Sequence, residues 1–120
     1  MTNTTLLWRD VVAKNPDQFR GHYNLANALF QSAHYDEATD HYRRAAEIDS
    51  EDYRCHFNLA RSLMKLQRPK EAASEFAETI RRKPDHAAAR AALRQLGIEV
   101  HVEPRAGDEQ GRLHLQVSPR

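Results

Sequence analysis

The sequence predicts an all-α solenoid of helix-turn-helix units stacked side by side, and three observations predict it. Sliding the 120-residue chain against itself by 34 positions superposes Arg20 on Arg54, His22 on His56, Asn24 on Asn58, Leu25 on Leu59, Ala26 on Ala60, Leu29 on Leu63, Glu37 on Glu71 and Ala38 on Ala72. A fixed period of this size marks supersecondary units that bury their apolar faces against one another. Within each copy the spacing is helical, with Leu25 and Leu29 at i, i+4 and Ala38, Tyr42 and Ala45 at i, i+4, i+7. The balance of 40% apolar and 29% charged residues suits a thin architecture with much exposed surface.

About six helices are expected, near residues 4–14, 18–31, 36–48, 52–66, 69–82 and 86–96. The first carries Leu7, Trp8, Val11 and Val12, and the backward shift sets Trp8 under Tyr42, so it matches the second half of a unit whose own first helix is missing. Breaks at Ser32-Ala33-His34 and Gln67-Arg68-Pro69 divide each copy into two helices, and Pro69 suits a first turn, where no N–H is required. Asp17, Asp36 and Asp85 are expected N-caps and Gly97 an expected C-cap. The predicted layout is a solenoid over 1–97, comprising a half repeat (1–16), repeats 17–50 and 51–84 and a capping helix (85–97), followed by a tail over 98–120. In the tail Ile98, Val100 and Val102, and then Leu113, Leu115 and Val117, alternate with polar residues. Period two fits a β-hairpin leaning on the helices; a tail without fixed structure is the alternative.

The residues resemble a known family. His22, Leu25-Ala26, Leu29, Ala38, Tyr42, Ala45 and Ser50, then His56, Leu59-Ala60, Leu63, Ala72, Phe76, Thr79 and Pro84, follow the pattern of the tetratricopeptide repeat. The chain departs from it in placing His at the first aromatic position twice, Ser50 for one Pro and Thr79 for one Ala. The resemblance spans about residues 4 to 97 and implies a right-handed superhelix serving as a scaffold for protein–protein contact.

Arg20, Asn24, Asn27 and Gln31 fall on one helical face away from the leucines, and Arg54, Asn58, Arg61 and Lys65 repeat that stripe one period later. An amide offers a donor and an acceptor, so Asn24 and Asn58 suit the backbone of an extended peptide. They resemble the asparagine ladder of the O-linked N-acetylglucosamine transferases, with two rungs, since Ala92 stands in the third helix. The two-carboxylate clamp of co-chaperone tetratricopeptide domains is matched at Asn27 and Asn58 but not at Tyr23, Ala88 and Ala92, where that clamp is basic. The peptide-binding set is therefore Arg20, Asn24, Asn27, Arg54, Asn58, Arg61 and Lys65, and its cations favour a partner segment that is acidic or ends in a free carboxylate. Leu7, Trp8, Val11 and Val12 form a second candidate surface, through which copies of the chain would assemble.

Other classes find little support. Residues 17–60 hold 4 basic and 8 acidic side chains and 61–94 hold 9 and 4, but the basic half lacks the interleaved exposed aromatics of a nucleic-acid module. No apolar run is long enough for a membrane span, and no secretory leader is read at the amino terminus. His22 and His56 sit at packing positions rather than as an i, i+4 metal pair, and no phosphate loop or nucleophile elbow occurs, so neither metal, cofactor nor catalysis is expected. Cys55 is the sole cysteine, expected to be buried, and a reducing, cytoplasmic setting is the default.

Overall fold

The turns decide where the helices stop. In a computed structural model of the chain, which describes residues 2–103 and 112–117, the helices are α1 (Asn3–Lys14), α2 (Phe19–Gln31), α3 (Tyr35–Ile48), α4 (Tyr53–Lys65), α5 (Pro69–Arg82) and α6 (Ala87–Gln95), followed by the strands β1 (Ile98–Glu103) and β2 (Arg112–Val117). Ala33 between α2 and α3, and Gln67 between α4 and α5, both adopt left-handed backbone, at φ 62° and 60°. Each allows a Schellman-type return bond, from the His34 N–H to the Leu29 carbonyl (2.8 Å) and from the Arg68 N–H to the Leu63 carbonyl (2.9 Å). Neither residue is glycine, so each turn stores strain of roughly 1 kcal/mol.

The expected aspartate caps are corrected. Helix α2 opens after Gln18 and α3 after His34, neither with a side-chain cap bond, whereas Thr2, Asp52 and His86 accept from the N–H groups of Thr5, Arg54 and Ala89. Each expected aspartate misses the capping place by one position or more: Asp17 accepts from Arg44 (2.9 Å) and Asp36 lies inside the first turn of α3, where its charge still favours the helix dipole. Gly97, at φ 80°, follows the C-cap Leu96 as a left-handed terminator.

The core runs along the stack. Leu25 and Leu29 from α2 and Leu59 and Leu63 from α4 meet Ala38, Tyr42 and Ala45 from α3 and Ala72, Phe76 and Ile80 from α5, with Ala89 and Leu93 of α6 continuing the series. Each leucine fully removed from water contributes about 2 kcal/mol. Ala26, Ala38, Ala60 and Ala72 have no exposed surface, which is what close approach of helix axes requires. The molecule is 18 Å in its thinnest direction, about two helix diameters, so every helix keeps a face toward solvent.

Two ion pairs report the register. Arg9 reaches Glu37 at 2.7 Å, and Arg43 reaches Glu71 at 2.7 Å, one period later. Exposed pairs of this kind add less than about 1 kcal/mol each, but the two are period-equivalent, α1 reaching α3 as α3 reaches α5. The tail forms an antiparallel hairpin in which Ile98 faces Val117, Val100 faces Leu115 and Val102 faces Leu113. It leans on α5 and α6, with Ile98 and Val100 packed against the core. The connecting residues of the tail lie outside the described residues.

Candidate functional site

Helices α2 and α4 present the polar stripe on one side of the stack, because their leucines point the other way into the core. Three hollows follow one another along that side. The first, about 400 Å³, is lined by Phe19, Arg20, Tyr23, Asn24 and Arg54. The second, about 430 Å³, is lined by Asn27, Phe30, Gln31, Tyr35, Tyr42, Arg61 and Lys65. Met64, Phe76, Ala92, Gln95 and Leu96 enclose the third, about 350 Å³, with Arg61 and Lys65 again on its rim. Asn58 stands between the first two hollows, where its Nδ2 donates to the Tyr23 hydroxyl (3.0 Å) and to Asn27 Oδ1 (3.4 Å). The residues expected in the peptide-binding set thus lie along one groove.

Their states differ. Tyr42 donates its hydroxyl to Asn27 Oδ1 at 2.5 Å, and burial holds that phenol well above its ordinary pKa. Asn27 Oδ1 therefore receives two donors, while its own amide N–H groups make no hydrogen bond among the described residues. Arg54 is gripped by Asp52 through a pair of bonds, Nε to Oδ1 at 3.0 Å and Nη2 to Oδ2 at 2.6 Å. That grip lowers the Asp52 carboxyl and raises the Arg54 guanidinium relative to their usual values. Arg61 instead stacks on aromatic faces, 4.7 Å from the Phe30 centroid and 5.9 Å from that of Phe57, and Lys65 lies 5.9 Å from the Tyr35 centroid. Arg20, Arg61 and Lys65 have no carboxylate partner among the described residues.

The second candidate surface is brought together less well. Trp8 and Val12 pack against the core, and Val11 and Val12 press on α2 at Gly21, where an added Cβ would stand 3.4 and 3.3 Å from their methyl carbons. Leu7 is 58% exposed and is joined by Leu6 at 55%, a residue the apolar periodicity passed over.

A family model for the tetratricopeptide repeat matches residues 29–96, more than half of the chain. The chain belongs to the tetratricopeptide repeat family. Among solved structures it is similar to the Arabidopsis OM64 TPR domain, at 21% identity and a TM-score of 0.73 over 77% of this chain and 76% of that one. The crystal structure of MamA matches at 18% identity and a TM-score of 0.72 over 78% of this chain and 57% of that one. MamA from MSR-1 matches at 26% identity, TM-score 0.66, over 78% and 56%. The chain therefore spans a little over half the length of these MamA chains. No curated protein matches the sequence. At such identities the structural likeness establishes the fold; the family supplies the broader statement that tetratricopeptide repeats are generally modules that bind other proteins.

Within the repeats, His22 and His56 are buried and have a common task. His22 Nε2 donates to the Pro16 carbonyl (2.7 Å), and His56 Nε2 donates to that of Ser50 (2.8 Å). Arg90, one period further, donates its Nε to the Pro84 carbonyl at 2.5 Å. The same position of each first helix thus holds the loop that enters it. Cys55 is buried, donates to the Tyr42 carbonyl (3.1 Å), and has its thiol pushed up to about 12 by burial, so it offers little thiolate at neutral pH. Sequence reasoning missed Phe30, Tyr35, Met64 and Leu96 as groove residues, because apolar side chains at helical spacing read as core. The available signal was position: Phe30 and Met64 are period-equivalent and adjoin the polar stripe.

Proposed function

We propose that the chain is a non-enzymatic adaptor that holds a short extended segment of another protein in the groove. The observation that carries this reading is that Arg20, Arg61 and Lys65 have no carboxylate partner among the described residues, with the open amide donors of Asn27 in the same hollow as Arg61 and Lys65. Aromatic faces pre-position Arg61, so little side-chain freedom is lost when an acidic group arrives. A cytoplasmic setting belongs to the same proposal, supported by the single, buried thiol; no helix of the described residues is long and apolar enough to cross a membrane.

The test is capture. Partners recovered by the wild-type chain and identified by mass spectrometry are expected to be lost from the double variant Arg61→Ala, Asn58→Ala. Melting temperature should fall by no more than about 5 °C, the consequence of the hydrogen bonds from half-buried Asn58. Undiminished capture by the folded variant overturns the groove assignment. A second reading, self-assembly through α1, is favoured by exposed Leu6 and Leu7. Sedimentation that stays monomeric at millimolar concentration removes it.

A further inference from the structure

The groove is not uniform along its length, and its far end has a chemistry of its own. Period-equivalent positions change character there: Asn27 of α2 becomes Arg61 in α4, Gln31 becomes Lys65, and Phe30 becomes Met64. Arg61 and Lys65 form the shared wall of two hollows, an aromatic and amide one toward α2 and an apolar one toward α6. The apolar hollow is framed by Met64, Phe76, Ala92 and Leu96 in about 350 Å³, at the small end of known ligand pockets and enough for one large aliphatic side chain. Met64 is 38% exposed there, so its thioether faces water that an apolar side chain would displace. The two cations beside it have no carboxylate among the described residues.

We infer that this end of the groove reads an acidic side chain close to an apolar one in the same segment, the carboxylate meeting Arg61 and Lys65 and the apolar group entering the hollow between α4 and α6. The inference rests on the peptide-binding reading and adds a sequence preference to it. Arg61 and Lys65 supply the attraction and fix where the segment sits; Met64, Ala92 and Leu96 supply the choice of neighbour. Met64 also suits the role because an unbranched thioether adapts to aliphatic groups of different shape.

The test is an NMR titration of the full chain with capped hexapeptides at millimolar concentration, one containing an Asp-Leu step and the others Asn-Leu or Asp-Gly at the same place. A fourth peptide ends in Asn-Leu with a free carboxylate. Wild-type affinity should fall roughly tenfold on replacing Asp by Asn, the loss of a charge-assisted contact, and about fivefold on replacing Leu by Gly, the loss of a buried aliphatic group. Arg61→Ala should erase the Asp-over-Asn preference and keep the Leu-over-Gly preference; Met64→Gln should do the reverse. Both side chains are exposed, and the spectra themselves report that the variants fold. Equal affinity for the Leu and Gly peptides, or a Leu preference that survives Met64→Gln, overturns this inference while leaving peptide binding standing. Binding by the free-carboxylate peptide alone overturns the assignment to an acidic side chain. No shift with any peptide overturns the groove reading as well.

Discussion

The two complete repeats hold their loops with the same residue and orient that residue with different chemistry. In the first, His22 Nδ1 faces His41 Nδ1 at 3.0 Å; in the second, His56 Nδ1 faces Glu75 Oε2 at 2.8 Å. The partners are period-equivalent, α3 supplying one and α5 the other. Nε2 of each first-helix histidine faces a carbonyl that only accepts; Nδ1 of His22 then faces another imidazole nitrogen, which can donate or accept, whereas Nδ1 of His56 faces a carboxylate that accepts. The second arrangement welcomes a proton. Burial alone lowers the His56 pKa, but the Glu75 carboxylate and Ser50 carbonyl outweigh it and the value is raised. His41 is lowered, first by burial and then by the facing His22. The two loop junctions therefore carry opposite responses to acid, the second through the first-helix His56 and the first through the second-helix His41, so the repeat fixes geometry and leaves charge free to vary.

The largest effect tests whether the repeats are mechanically equal. Leu25→Ala and Leu59→Ala, at equivalent sites that are 1% and 2% exposed, should each cost about 3 kcal/mol in denaturant unfolding. A difference above about 1 kcal/mol would show that one repeat is the weaker partner.

Glu75→Gln comes next, with a loss of about 1.5 kcal/mol at pH 6, since a charge-assisted bond to a buried imidazolium disappears. The sign follows from linkage. His56 binds its proton more tightly folded than unfolded, so its stabilisation is complete below the unfolded value near 6.5 and fades as pH rises through the higher folded value. The variant should lose that dependence. His41 is the reverse: its folded value is depressed, so stability is lost as pH falls below about 6.5, when the unfolded chain takes up the proton more readily. Urea unfolding of wild type, Glu75→Gln and His41→Gln at pH 5.5 and 8 separates the two contributions.

His41→Glu then converts the first repeat to the chemistry of the second. It should stabilise by about 1 kcal/mol at pH 6 and less at pH 8, and an unchanged pH profile would show that the two loops are not interchangeable. The smallest effect belongs to the left-handed turns. Ala33→Gly and Gln67→Gly should each raise stability by about 0.5 kcal/mol, the relief of turn strain less the added freedom of the unfolded chain. Equal gains would mark the turns as the part in which the repeats agree most.

The helices were legible because period and spacing are local and redundant: eight identities at a shift of 34 residues fixed them to within a residue or two. The caps were less legible, because the left-handed turn at Ala33 feeds α3 directly and leaves Asp36 inside the helix rather than at its start. The hairpin was readable as alternation at Ile98, Val100 and Val102, although alternation alone could not say that α5 and α6 would support it. The stripe from Arg20 to Lys65 was readable as spacing. That Asn58 would bond Tyr23 and Asn27 of the preceding repeat was not, since it depends on how far one hairpin is offset from the next. The loop bonds of His22, His56 and Arg90 depend on the same offset, and only the shifted match of Pro16, Ser50 and Pro84 hinted at them.

Those loop bonds carry a consequence for length. Every junction joins the residue six places before a first-helix side chain to that side chain, so a duplicate of residues 51–84 inserted after position 84 would recreate each fastening with its partner in reach. An insertion of another size between Pro16 and His22, or between Ser50 and His56, would change the six-residue reach from the buried histidine to the carbonyl that it holds. Growth by the whole module preserves every fastening, as adding a link preserves a chain.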